Sequence, residues 1–166
     1  MRMFSEKLLK LVEIARSRGE AINFSGVVVP ADLDLDAFAC PENPLPGVDF
    51  AGASFEGDLD LTEVYFDGPA RFTGAHFAGD LDLIVARFLA VDFDDALIAG
   101  CFDASETRFR GPVSFRNTRF EGPAIFRETQ FYHPVDFSGA TFKIPPAFDD
   151  VVFPEGSRLP LGCDPV

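Results

Sequence analysis

Large apolar residues recur along this chain in steps of five and six, a beat that excludes nearly every ordinary fold. From Phe50 they fall at Phe55, Leu61, Phe66, Phe72, Phe77, Leu83 and Phe88, and from Phe109 at Phe115, Phe120, Phe126, Phe131, Phe137, Phe142, Phe148 and Phe153. A helix repeats about every 3.6 residues and a half-buried strand every two, so neither generates this pattern over such a length. Self-similarity at a fixed period is instead the mark of a repeat architecture. The residue two before each of these centres is apolar or small, as in Val48, Ala53, Leu59 and Val135. Two inward positions flanking one outward position make a very short strand.

The six-residue steps read FEGDLDL, FDGPARF, FAGDLDL, FRGPVSF, FEGPAIF, FYHPVDF and FKIPPAF, with Gly or Pro in the middle of each. Proline cannot donate to a strand ladder, so Pro69, Pro112, Pro123, Pro134 and Pro145 belong at corners. One five-step plus one six-step spans 11 residues, and two such pairs make a circuit of 22 residues with four sides. Phe93, Ile98 and Ala104 fill the interval between Phe88 and Phe109, with Phe102 restoring beside Ala104 the volume that alanine lacks. The same exchange assigns Phe38 and Cys40 to one unit. The first circuit is then Phe24, Val29, Leu35 and Cys40, and PENPLPG over 41–47 is expected to project as a loop. The grid holds 24 centres in six circuits.

Units such as VDFAG at 48–52, VDFDD at 91–95 and VDFSG at 135–139 resemble the pentapeptide-repeat family, whose pattern is A(D/N)LXX with Leu or Phe at the centre. The resemblance implies an all-β fold: a right-handed quadrilateral β-helix, here of about six coils, with Phe and Leu stacked inside. The expected organisation is an N-terminal capping helix over 1–20, the β-helix over 21–155 and a C-terminal tail over 156–166. In the helix, Ser5 reads as the cap, Glu6 lies in the first turn, Arg16 and Arg18 in the last, and Gly19 ends it. Phe4, Leu8, Leu11, Val12 and Ala15 share one face, expected to close the open end of the stack. A membrane-surface helix is the competing reading, because the polar face is basic.

The net charge of −13 argues against direct nucleic-acid binding and against an anionic membrane as partner. Cys40, Cys101 and Cys163 are odd in number and far apart, and read as reduced thiols in a cytoplasmic protein. No run is long enough to span a membrane, and residues 1–18 lack the continuous apolar stretch of a secretory signal. Charge is strongly segregated. Ala31–Glu106 holds 17 acidic and 2 basic residues, whereas Thr107–Lys143 holds 6 basic and 3 acidic. The motif DLDL occurs at 32–35, 58–61 and 80–83, always on the third side. On the grid, Asp34, Asp60, Asp82 and Asp103 stack in one outward column, and Asp32, Asp58 and Asp80 in a second beside it.

Like charges on adjacent strands repel, so such columns carry a cost. One reading is that they keep a rod soluble; the other is that they meet a basic protein partner. Four circuits span on the order of 19 Å, a length in which duplex DNA carries about 11 charges, close to the charge of this block. The family resemblance supplies a candidate mechanism, since some members are DNA mimics that occupy the DNA-binding groove of type II topoisomerases. The tail SRLPLGCDPV, with two prolines, departs from the apolar dimerising helix that those members typically carry. The rival role is structural: a homodimer formed through the C-terminal coil ending in VVFPEG. The PENPLPG segment is a further candidate contact.

An enzyme is not expected. Catalysis needs convergent groups in a pocket, and the chain lacks GxSxG, HExxH and a glycine-rich phosphate loop. His76 and His133 lie more than two circuits apart and read as surface residues. No cofactor or metal site is expected, and the Asp columns do not wrap around an ion as calcium sites do.

Overall fold

The structure, a computed structural model, describes residues 1–160. The chain winds as a parallel β-solenoid in which each two- or three-residue strand pairs with the strand one circuit away. The strands collect into four parallel sheets. Side one runs from Ile22–Asn23 to Val135–Asp136 and side two from Val28–Val29 to Thr141–Phe142, each with six strands. Side three has five strands, from Leu33–Asp34 to Ala124–Ile125, and side four has three, from Arg87–Phe88 to Gln130–Phe131. The register Ile22, Val48, Ala70, Val91, Val113, Val135 closes five full turns. The sixth circuit of the grid is only partial. Its first two sides are the strands Val135–Asp136 and Thr141–Phe142, its last two are held by isolated bridges from Ile125 to Ala147 and Gln130 to Val152, and Asp136 bridges on to Arg158. The fourth side departs most from a regular square, because its first and last rungs are also single bridges.

The interior is filled by the predicted centres. Phe24, Phe50, Phe72, Phe93, Phe115 and Phe137 form one column with ring centroids 4.9–5.7 Å apart. Phe66, Phe88, Phe109, Phe131 and Phe153 form another on side four. Each fully buried ring contributes roughly 1.5–3 kcal/mol by leaving water, and offset stacking adds to that. The size exchange at Ala104 holds: Phe102 is fully buried and meets Phe93, Phe115, Phe120 and Phe126.

The two kinds of corner solve the turn differently. Most five-residue steps place a left-handed residue two after the centre, from Gly26 and Gly52 to Glu63, Val85 and Asn117. Each six-residue step adds a residue, and glycine there permits contact between coils. A Cβ on Gly100 would lie 2.3 Å from the Gly79 carbonyl oxygen, and one on Gly122 would lie 2.1 Å from that of Gly100.

Four expectations at the N-terminal end are corrected. Cys40 is not a core centre. Leu45 is buried, bridges Phe66 and exchanges backbone hydrogen bonds with Tyr65 and Asp67, so the later half of PENPLPG belongs to side four. Cys40 is partly exposed, with its thiol 3.3 Å from Glu42 Oε2, in a detour that begins with a short 3-10 turn, Asp36–Phe38. Helix α1, Ser5–Arg18, is capped at Phe4 without a side-chain bond, and Ser5 Oγ donates instead to the Asp32 carbonyl, tying the helix to the first coil. The inward face of α1 is Leu8 and Val12, whereas Phe4 and Leu11 are exposed. Gly19 ends the helix with φ 65°. Residues before α1 add a further rung: Arg2 bridges Val28 and buries Met3. The part of the expected tail at 161–166, including Cys163, lies outside the described residues.

Candidate functional site

The third side carries the acidic columns. The register pairs Asp34 with Asp60, Asp60 with Asp82 and Asp82 with Asp103, so the four predicted residues do share one ladder. Three of them also hold their own turns. The Oδ1 atoms of Asp34, Asp60 and Asp103 accept the backbone N–H two residues on, at Asp36, Thr62 and Ser105, over 2.8–2.9 Å. This is an Asx turn, in which a short acceptor side chain stands in for a backbone carbonyl. Asn23, Asp49, Asp92 and Asp136 do the same on side one.

The second column works between coils. Asp32 Oδ1 accepts the N–H of Asp58, Asp58 Oδ1 that of Asp80, and Asp80 Oδ1 that of Cys101, at 3.0, 2.8 and 2.7 Å. Each carboxylate closes over the glycine of the next corner, and a Cβ on Gly79 would come within 2.3 Å of Asp58 Oδ1. These bonds were not legible from spacing alone, although the recurring Gly-Asp pairs at 57–58 and 79–80 mark the places.

Electrostatics distinguishes this side from the others. None of the ion pairs among the described residues uses any of these seven aspartates. Elsewhere acids meet an arginine one coil away, as Asp49–Arg71, Asp94–Arg116, Asp136–Arg158 and Asp149–Arg127. Burial, followed by Asp60, Asp103, Asp80 and Asp58, pushes the Asp82 carboxyl above its ordinary value. Burial and then Asp80, Asp103 and Asp82 push the Cys101 thiol up, away from the reactive thiolate. Asp94 shows the opposite balance. Burial works against its charge, but Arg116 holds it with Nε at 2.8 Å and its backbone N–H at 2.9 Å, and Ser114 Oγ donates to it as well. Its carboxyl therefore sits below the usual range. Sequence reasoning missed this pair, whose signal is an Asp and an Arg 22 residues apart, one circuit.

The acidic surface is wider than the two columns. Glu63, Glu106, Glu128 and Asp150 occupy left-handed positions at the corner between sides three and four, and all are exposed. His76 and His133 are both exposed, on side two and at a corner. Among the described residues no group of His, Cys, Asp and Glu could hold a metal ion, and no helix is long and apolar enough to cross a membrane. Shallow grooves along side one are floored by aliphatic residues such as Val48, Ala70 and Val91.

A family model described as pentapeptide repeats (9 copies) matches residues 50–97, 85–141 and 104–152. No curated protein and no solved structure matches the chain.

Proposed function

The chain belongs to the pentapeptide-repeat family, and from that premise we propose that it is a non-catalytic interaction module whose third side docks against a basic protein surface. The observation that carries the reading is the contrast in charge pairing. The same solenoid neutralises Asp49, Asp94 and Asp136 with arginines one coil away, yet stacks Asp34, Asp60, Asp82 and Asp103 with no cation among them. Stacked like charges cost stability, and at Asp82 the neighbouring aspartates add to burial, the larger cause, in raising the carboxyl. A cationic partner would relieve that cost on binding. The partner class is a DNA-binding protein with a basic groove, of which type II topoisomerases are one example, and the compartment is the cytoplasm.

The test compares wild type with a variant carrying Asp34→Asn, Asp60→Asn, Asp82→Asn and Asp103→Asn in capture from a bacterial lysate. Asparagine keeps the acceptor that the Asx turns need, so the fold is retained while the charge is removed. Capture of a DNA-binding protein by wild type only, displaced by duplex DNA, supports the reading. Equal capture by both, or none, assigns the columns to solubility.

A second reading rests on the last coil. Phe142, Phe148 and Phe153 are only half-buried there, and Val152 is 81% exposed. Self-association through this coil would cover them. Light scattering after chromatography tests it: a dimer that Val152→Lys dissociates is the expected result, and a monomer at high concentration rejects it.

A further inference from the structure

We propose that the fourth side is a second, independent docking strip, one that takes a short acidic segment of a partner protein. Its outward residues differ in kind from those of side three. Tyr65, Arg87, Leu89, Arg108, Arg110 and Tyr132 face outward over four successive coils, with Tyr65 bridging Arg87 and Arg87 in register with Arg108. Leu89 and Tyr132 are 45% and 59% exposed. Tyrosine and arginine are among the residues enriched in binding hot spots.

These three arginines lack the carboxylate partners that most arginines elsewhere in this chain find; off the strip, Arg16, laid over the Phe38 ring, is the exception among the described residues. With 27 acidic and 14 basic residues, a guanidinium here meets a carboxylate readily, as Arg2, Arg71, Arg116, Arg119, Arg127 and Arg158 do. Among the described residues no carboxylate lies within 4.0 Å of Arg87, Arg108 or Arg110. This holds although Asp67, Glu106 and Glu128 border the strip. Arg87 is instead laid over the Tyr65 ring at 4.7 Å, and its Nε is buried without an acceptor among the described residues. Arginine is the residue suited to this work, since its planar fork both stacks on a ring and grips a carboxylate through two donors.

Charge complementarity therefore selects a carboxylate-bearing occupant, and the acidic border limits it to a narrow segment with one or two carboxylates and an apolar neighbour for Leu89. From the first of these four rungs to the last is three inter-coil spacings, about 14 Å, the length of roughly four extended residues. A second copy of this chain is disfavoured. A strip of six outward side chains falls short of the roughly 20–30 residues a side of a stable interface, and two chains of charge −13 repel.

The strip reports on itself. Tyr65 and Tyr132 are the two tyrosines of a chain with no tryptophan, so tyrosine emission excited beyond the phenylalanine absorption band reads this side. The experiment titrates the full chain with the peptide acetyl-GDLEG-amide, with its uncharged counterpart acetyl-GNLQG-amide, and with inorganic phosphate. The expected result is a saturable change with the acidic peptide only. The change should weaken about tenfold in the double variant Arg108→Gln/Arg110→Gln, which removes charge-assisted hydrogen bonds but leaves the Arg87–Tyr65 stack in place. Far-UV circular dichroism checks that this variant folds; if it does not, Arg108→Lys alone, which keeps the charge and loses the fork, should weaken binding about threefold. Four results overturn the proposal: no saturable change, equal binding of the uncharged peptide, equal response to phosphate, or undiminished binding by the arginine variants. A fluorescence change that follows protein concentration without peptide would place a second copy on the strip and overturn it too.

Discussion

Replacing Gly100 by alanine isolates the contact that holds one coil against the next. Gly100 sits at the corner between sides two and three, where a Cβ would meet the Gly79 carbonyl oxygen at 2.3 Å, the Gly79 carbonyl carbon at 2.4 Å and Asp80 Oδ1 at 2.7 Å. The first two are backbone atoms of the adjacent coil and cannot rotate away, so the coils must part by most of an ångström. Overpacking of that kind costs about 1–3 kcal/mol. The shift also stretches the 2.7 Å bond from the Cys101 N–H to Asp80 Oδ1, and losing a hydrogen bond to a charged group adds about 1.5–3 kcal/mol. The sum is about 4 kcal/mol, or a fall in Tm of about 8–16 °C for a chain of this size.

The internal control is Gly74→Ala. Gly74 has φ 65° but open space around its absent side chain, so the alanine pays only the left-handed backbone cost, about 1 kcal/mol once the gain in unfolded-state order is set against it. Guanidinium unfolding of both variants gives the two midpoints. A Gly100→Ala loss no larger than that of Gly74→Ala would refute the claim that backbone contact at the six-residue corners governs coil spacing.

Four other results are expected. Acid titration of Tm should show two opposed trends. Asp82 has a folded-state pKa raised above its unfolded value, so its adverse contribution is relieved as pH falls toward that pKa, and Asp82→Asn should raise Tm at pH 7. Asp94 and Asp136 have lowered pKa values, so their stabilisation is complete above the unfolded value and lost as pH drops through the folded one; Asp94→Asn should lower Tm at pH 7 and flatten the acid limb. The fourfold Asp→Asn variant on side three should match or exceed wild type in Tm at low salt and lose the rise in Tm that added NaCl gives wild type, because salt screens exposed like charges over about 8–10 Å. Finally, Leu45→Ala should cost about 2–5 kcal/mol and Cys40→Ser less than about 0.5 kcal/mol, measured by chemical unfolding.

That last pair shows where the sequence stopped being legible. Leu35, Cys40, Leu45 and Phe50 are all five residues apart, so an insertion of one whole step leaves the beat unbroken and the period cannot say which unit left the stack. Burial decides it, and the larger aliphatic Leu45 takes the place facing Phe66. Where no insertion intervenes, the beat assigns side and register correctly even through Ala104, because the partner position inside the same strand restores the volume. The N-terminal helix was misread for a related reason. Helical spacing groups Phe4, Leu8, Leu11, Val12 and Ala15 on one broad face, but only Leu8 and Val12 are fully buried, with Leu9 and Ala15 packed partly against the core, and Phe4 and Leu11 are left outside. The aspartate columns were legible as positions and not as bonds. Spacing places them on one side, whereas the direction of each Oδ1, toward its own turn or toward the next corner, follows from three-dimensional corner geometry.

Those bonds sharpen the meaning of the charge. Asn23 holds its turn through the same N–H as Asp49, Asp92 and Asp136 do, so the Asx turn requires an acceptor and not a negative charge. On side one the position is varied accordingly: asparagine, aspartate, arginine and serine alternate down the column, and opposite charges meet between coils. On side three the position is aspartate four times in succession, three of them holding the turn, with a second aspartate column and an acidic corner beside it. Turn formation accounts for the acceptors, and inter-coil bonding accounts for one oxygen of each corner aspartate. Neither accounts for the accumulated charge, which works against the fold at Asp82. The excess charge is thus the part of the pattern that stability does not explain, and it is this remainder that the proposed basic partner would answer.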